Sequence, residues 1–344
     1  MPNPTLTEHL PAIEETSDGY PHYHFVLCKH TIDNIPKIAR ALEGCDTVLV
    51  ETVGVEPEYA ADLFGMFNAF TDSTIPHEEV SDIVQRNLQR SEDASDHFVL
   101  VLASELYGSN KILAPVDVLK THPVFEQLVR GMQQIKQVTR YTARGGIATD
   151  QIVQELREAL TLQAETDRKR EGVVASQLLE YPEYLPHGYG KHIGVVQGAA
   201  HTGTYQILSR LGLPVSREFI DTLPYASGVH MTFPWAVMAT RQKRFKPDSL
   251  LPDALLRYVL LESILVQHVA LPPSDGTHEV EFDETLNILR AEVIEAMPEI
   301  AQRNFLNSWE KIMLGSAKGR RRKTRMLVQR LLETYIKDSL DPDE

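Results

Sequence analysis

The stretch HFVLCKHTIDNIPKIARALEGCDTVLVE, residues 24–51, decides the fold. It opens with a short apolar run, HFVLC, that ends at Lys29-His30. Ile32, Ile35, Ile38, Ala39 and Leu42 then recur near helical spacing, with Thr31 or Asp33 placed to cap the start and Gly44 to end it. DTVLVE closes the stretch as a second, β-branched run ending on Glu51. Strand, helix and strand within about thirty residues predict a βαβ unit, with parallel pairing and a right-handed crossover.

Further along, a loop rich in Pro, Tyr and Gly (181–190) leads into KHIGVVQ, a third strand. Gly198-Ala-Ala-His201-Thr-Gly203 turns from it into TYQILSRLG, a helix stopped by Gly212 and Pro214. This repeats the order at His30: apolar strand, histidine in the turn, helix. Between the two lie helices with loops over 56–95, and HFVLVLASELY (97–107), which periodicity leaves open between strand and helix. SNKILAPVD reads as a mixed region. Amphipathic helices follow over 123–140 and 150–179, separated by the turn Ala143-Arg144-Gly145-Gly146. Beyond 240 the chain reads as helical and ends in the acidic tail DPDE. The fold expected is α/β, a largely parallel sheet built of two similar βαβ-containing halves, with an all-helical C-terminal region. Three parts follow: a loose lead-in (1–20), an α/β domain (21–240) and a helical region packed on it (241–344). That last region suits dimerisation or a lid equally.

Composition narrows the class. An apolar fraction of 42% and a charged fraction of 24% are those of an ordinary globular protein. A net charge of −14 works against non-specific binding to nucleic acid or anionic membrane. One basic run, Lys318-Gly-Arg320-Arg321-Arg322-Lys323-Thr-Arg325, stands against that balance; it lacks aromatic residues for base stacking and reads first as a solvated helix start. The two cysteines, Cys28 and Cys45, make no disulfide framework and suit a reduced compartment. The N-terminus lacks the pattern of a secretory signal, and the most apolar stretch, Leu251–Leu271, is broken by Asp253, Arg257 and Glu262. A cytoplasmic protein with no transmembrane segment is expected.

Ligands of open α/β sheets bind beyond the carboxyl ends of the strands. His30, Glu51 and His201 all fall at such ends. Two imidazoles and a carboxylate are a donor set for a divalent metal ion (Mn, Co, Zn or Fe), which would lower the pKa of a bound water and polarise a carbonyl. Without a metal the same trio can work as general acid and base. A carboxylate ending a buried run is costly unless paired or ligating, which singles out Glu51. His24, on the strand face of Val26 and Cys28, is a lesser candidate, and Cys28 beside His30 is better explained by packing than by thiolate chemistry. The sequence contains no G-x-x-x-x-G-K-[ST] phosphate loop, no H-E-x-x-H and no G-x-S-x-G.

VLCKHTIDNIPKIARALEGCDTVLVE together with VVQGAAHTGTYQIL resembles the TraB/PrgY–Tiki group within the superfamily of erythromycin-esterase-like and ChaN-like proteins. Members open with a strand and a G-x-x-H turn, carry a glutamate at the end of the next strand, and have a second G-x-x-H turn in the C-terminal half. Gly198-Ala199-Ala200-His201 fits the second turn; Leu27-Cys28-Lys29-His30, at the first, carries no glycine. ETDRKREGVVASQLL is similar to the family's helix with an acidic-Arg pair, at Asp167 and Arg168. The resemblance covers roughly residues 22–215. It implies a metal-dependent hydrolase of peptide or ester bonds, with His30 and His201 as metal ligands, Glu51 as ligand or general base, and Arg168 with Asp167 in support. Arg168 would bind an anionic substrate group or pair with Glu51. The other reading is a non-enzymatic ligand- or signal-binding protein on the same scaffold. The partner expected is a small molecule or peptide, with a homodimer compatible.

Overall fold

The structure is a computed structural model that describes residues 20–28, 30, 32–88, 94–144, 146–198, 201–220 and 296–335, with 256–257, 260–261, 264–265 and 293–294. The expected lead-in over 1–19, the Thr31 cap, Gly145, the two alanines of the Gly198–His201 turn and the DPDE tail lie outside the described residues.

Among the described residues five parallel strands form one sheet: β1 (His22–Cys28), β2 (Thr47–Glu51), β3 (Ile112–Val116), β4 (His192–Gly198) and β5 (Val215–Phe219). Their spatial order is β3-β2-β4-β1-β5. The first strand–helix–strand stretch is therefore parallel, as its pattern predicts, but its two strands are not neighbours, because β4 lies between them. A parallel strand in mid-sheet must be apolar on both faces. From Ile193 to Gln197 every residue of β4 is buried. Gly194 fits this position because a Cβ there would come within 2.3 Å of Leu42 Cδ2. Its bare backbone lets the end of the first helix settle onto the sheet.

Two strands escape the sequence reading. β3 is the lone strand in ILAPVD, an edge strand, where Pro115 forfeits no ladder bond on its outer side. β5, VSREF, is the opposite edge; its exposed Arg217, Glu218 and Phe219 give it no apolar signature.

Helices cover both faces. The alternation of each strand sends Val26, Cys28, Val48, Val50 and Val196 to one side. There they meet α1 (Ile35–Ala41, after a 3-10 turn at Ile32–Asn34), α2 (Pro57–Thr71), α3 (His77–Leu88) and α4 (Ala94–Glu105). The ambiguous 97–107 stretch thus resolves as helix, with Phe98, Val99, Leu102 and Ala103 buried. Asn34 precedes α1, and Pro36 stands in its first turn. On the other side Tyr23, Phe25, Leu27, Leu49, Ile193 and Val195 meet α7 (Thr202–Arg210) and the C-terminal part of α6 (Thr149–Glu180).

The chain divides into two compact units, one of Met1–Leu128 and Thr166–Thr222, the other of Val129–Glu165 and Leu223–Glu344. The second thus takes in 129–165 as well as the C-terminal region. The cause is length: α5 (Pro123–Arg144) and α6 outrun the sheet. Val174, Ala175 and Leu178 of α6 pack on the strands, whereas Ile152, Leu156 and Leu160 belong to a separate core. That core holds Leu256, Leu260, Leu261, Ile264 and Leu265, with Trp309 of α8 (Glu299–Leu314) and Val328 of α9 (Arg320–Tyr335). The Leu251–Leu271 stretch, where described, is accordingly helical and buried. Among the described residues no helix is long and apolar enough to cross a membrane.

Candidate functional site

Strand order is what assembles the site. β1, β4 and β2 are consecutive neighbours and all parallel, so their carboxyl ends lie side by side. His30 follows β1, Glu51 ends β2, and His201 follows β4 at the N-cap of α7. The amide of His201 donates to the carbonyl of Gly198 at 2.8 Å, closing the turn that brings the ring back over the strand end. The amide of Gly198 itself donates to Glu51 Oε2 at 2.5 Å. His201 Nε2 lies 3.3 Å from Glu51 Oε1, and His30 Nε2 lies 4.0 Å from Glu51 Oε2. The three predicted residues converge.

What ties them together is Arg170. From α6 its Nη2 donates to Glu51 Oε1, and its Nη1 lies 2.9 Å from His201 Nε2. From behind, Asp117 grips the same guanidinium through both oxygens, Nε donating to Oδ1 at 2.7 Å and Nη2 to Oδ2. A planar fork of five donors suits such multiple pairing in a way that an ammonium does not. Next along α6, Glu171 Oε1 accepts the Gly203 amide at 3.2 Å and stands 4.0 Å from His201 Nδ1. Gly203 is required there: a Cβ would lie 2.0 Å from Glu171 Oε2.

Arg170, not Arg168, is thus the arginine that pairs with Glu51. Arg168 is half-buried and adds positive potential at Glu171, and Asp167 is buried on the same helix. Helix phase was the overlooked signal. Arg170 stands four and eight residues before Val174 and Leu178, on the buried face of α6, which Arg168 does not share. Asp117 was missed with its strand, since it directly follows β3.

Charge within the cluster is set by burial against pairing. Burial alone would raise the Glu51 carboxyl, but His201, Arg170, His30 and the Gly198 amide hold it well below the usual carboxylate range. Arg170, a permanent cation, is the partner present at every pH. Burial works against the charge on Arg170, and Glu51 with Asp117 more than offsets it. Burial lowers both His30 and His201, against the pull of Glu51, so both imidazoles are neutral at pH 7. Burial pushes Glu171 up to about 7, although the Gly203 amide and Arg170 oppose it.

Two imidazole nitrogens remain. Arg170 can only donate, so His201 Nε2 accepts and the proton sits on Nδ1, which is buried with no hydrogen-bond partner. His30 Nε2 is likewise buried without a partner. The ring of His30 stacks on Phe98 of α4, centroids 4.7 Å apart and planes 16° from parallel. His24 is occupied elsewhere, its Nδ1 at 2.8 Å from Ser216 Oγ on β5. Cys28 is fully buried in the apolar layer.

A divalent ion does not fit this arrangement beside Arg170. The lone pairs it would use on Glu51 Oε1 and His201 Nε2 face the guanidinium instead. A second cation there would meet like-charge repulsion on the order of several kcal/mol. Among the described residues no group of three or more His, Cys, Asp or Glu side chains is arranged to hold a metal.

Comparison with known proteins identifies no relative: no family model, no curated protein and no solved structure matches the chain.

Proposed function

We propose that the strand-end cluster hydrolyses a peptide or ester bond by general acid–base catalysis, on a scaffold akin to the TraB/PrgY–Tiki group. The observation that carries this reading is the pairing of a fixed carboxylate, Glu51, with a neutral imidazole, His30, whose Nε2 is unpartnered 4.0 Å away. In this scheme His30 Nε2 takes a proton from water as the water oxygen bonds to the carbonyl carbon. Glu51 stabilises the imidazolium so formed, and the proton then passes to the leaving oxygen or nitrogen as its bond to carbon breaks. Arg170 and Asp117 keep Glu51 in place and ionised throughout. His201 braces Arg170, accepting from its Nη1 through Nε2. Support for two related halves comes from the repeated order β1–His30–α1 and β4–His201–α7. The two cysteines, both buried and in no disulfide, suit a cytoplasmic setting.

The test is turnover of a panel of esters and peptides by the wild type and by His30→Ala. A loss of at least about 100-fold is expected, in the range general-base removal brings. Turnover unchanged in both His30→Ala and Glu51→Gln would sink the proposal. One observation favours the non-enzymatic alternative: both oxygens of Glu51 and Nε2 of His201 are already satisfied within the protein. A ligand that binds intact and shifts the His30 ring resonances would support that reading.

A further inference from the structure

We propose that Arg170 is the resident cation of this cluster, standing where a divalent metal ion would have to sit, and that removing it turns the trio into a metal site. The inference rests on donor geometry and holds whether or not the cluster hydrolyses anything.

The Glu51 carboxylate stands between the two imidazoles, one oxygen toward each. His201 Nε2 and Glu51 Oε1 are 3.3 Å apart, and His30 Nε2 and Glu51 Oε2 are 4.0 Å apart. Two ligands of one tetrahedral ion, each bonded at about 2.0–2.2 Å, stand roughly 3.3–3.6 Å apart, so the first pair is at ligand spacing and the second needs a small shift of His30. What stops an ion is that Arg170 draws on two of these four atoms, Glu51 Oε1 and His201 Nε2. It cannot drift away, because Asp117 holds the adjoining Nε–Nη2 edge of its guanidinium with both oxygens. The side chains are almost wholly enclosed, Arg170 at 8%, Glu51 at 11% and Asp117 at 1% exposure. A buried carboxylate pair demands a counter-cation. With Arg170 gone, Glu51 and Asp117 together carry two negative charges and no cation. That is the charge of a site for a divalent ion, with His30 and His201 supplying neutral nitrogen donors.

The experiment uses the full chain and Co²⁺ alone, followed by visible d–d absorption and by equilibrium dialysis with elemental analysis. Wild type should take up no stoichiometric Co²⁺. Arg170→Ala should bind one equivalent at least ten-fold more tightly than wild type, and the gain should vanish when His201→Ala or Glu51→Gln is added. If Arg170→Ala does not fold, Arg170→Gln, which lacks the charge but keeps an amide donor for Glu51, decides in the same assay. Arg170→Lys, which keeps the charge, should bind no better than wild type. One equivalent bound by wild type and lost in His201→Ala would overturn the proposal, as would a folded, charge-free variant at position 170 with no gain. Neither result depends on turnover, so failure here leaves the hydrolytic reading to be judged by His30→Ala alone.

Discussion

Glu171 is the carboxyl of the cluster at which burial outweighs pairing. Its carboxyl is raised from 4.5 to about 7 by burial, so the folded chain binds a proton there that the unfolded chain has already released. The stability this gives is fully present below pH 4.5 and lost as the pH rises through about 7. Above that, the ionised group sits in a site that disfavours it. Glu171→Gln keeps an acceptor for the Gly203 amide and cannot ionise. It should stabilise the protein at pH 8 by roughly 3 kcal/mol at most and leave it unchanged near pH 4, as measured by urea denaturation. Equal effects at both pH values would mean that Glu171 is not buried in this way. Asp117 holds Arg170 from the end of β3. Its side chain is 1% exposed and its loss leaves Arg170 half-paired in the interior. Asp117→Ala should lower stability by about 3 kcal/mol or more, in line with other broken buried ion pairs.

At the scale of elements, what was legible followed from burial on both faces. β1, β2, β4 and the long helices announce themselves by apolar runs and helical phase, and the strand-end histidines and Glu51 could be read from where those runs stop. β5 could not, because an edge strand has one neighbour and need not be apolar, and the apolar run of β3 is short and interrupted by Pro115, which argues against a strand. Losing β3 hid Asp117, and reading α6 without its phase put weight on Arg168 in place of Arg170. The adjacency of β4 to both β1 and β2 is a fact of packing that no local pattern carries. It depends on Gly194 and on Asp46, whose carboxylate accepts the amides of Gly190, Lys191 and His192 at 2.7, 3.1 and 2.9 Å. Asp46 thereby fastens the entry of β4 to that of β2. Asp46→Ala should cost about 1–3 kcal/mol and loosen that strand end, seen as faster amide exchange at the start of β4. Gly194→Ala should cost a similar amount, about 1–3 kcal/mol, by driving Leu42 out of place. Stability unchanged by Gly194→Ala would show that α1 does not seat on β4 as closely as described.

For the whole molecule, pH response sums groups of opposite sign, and the site supplies most of the buried ones. His30 and His201 are both lowered by burial, so between their folded values and 6.5 the unfolded chain binds up to two more protons than the folded one. Their contribution to stability is therefore lost as the pH falls below 6.5, at no more than about 1.4 kcal/mol per pH unit for each. Glu171 works the other way between 4.5 and about 7, gaining stability as the pH falls. From pH 7.5 to 5.5 the two imidazoles remove stability while Glu171 returns about 2 kcal/mol. The wild type should accordingly lose less stability over that interval than it would without Glu171. Glu171→Gln, deprived of the offset, should lose more stability than the wild type on the same acidification, and adding His30→Gln and His201→Gln should flatten its profile again. Urea denaturation of the three proteins at both pH values checks the balance. An acid loss in the wild type as large as in Glu171→Gln would show that Glu171 does not hold its proton into the neutral range.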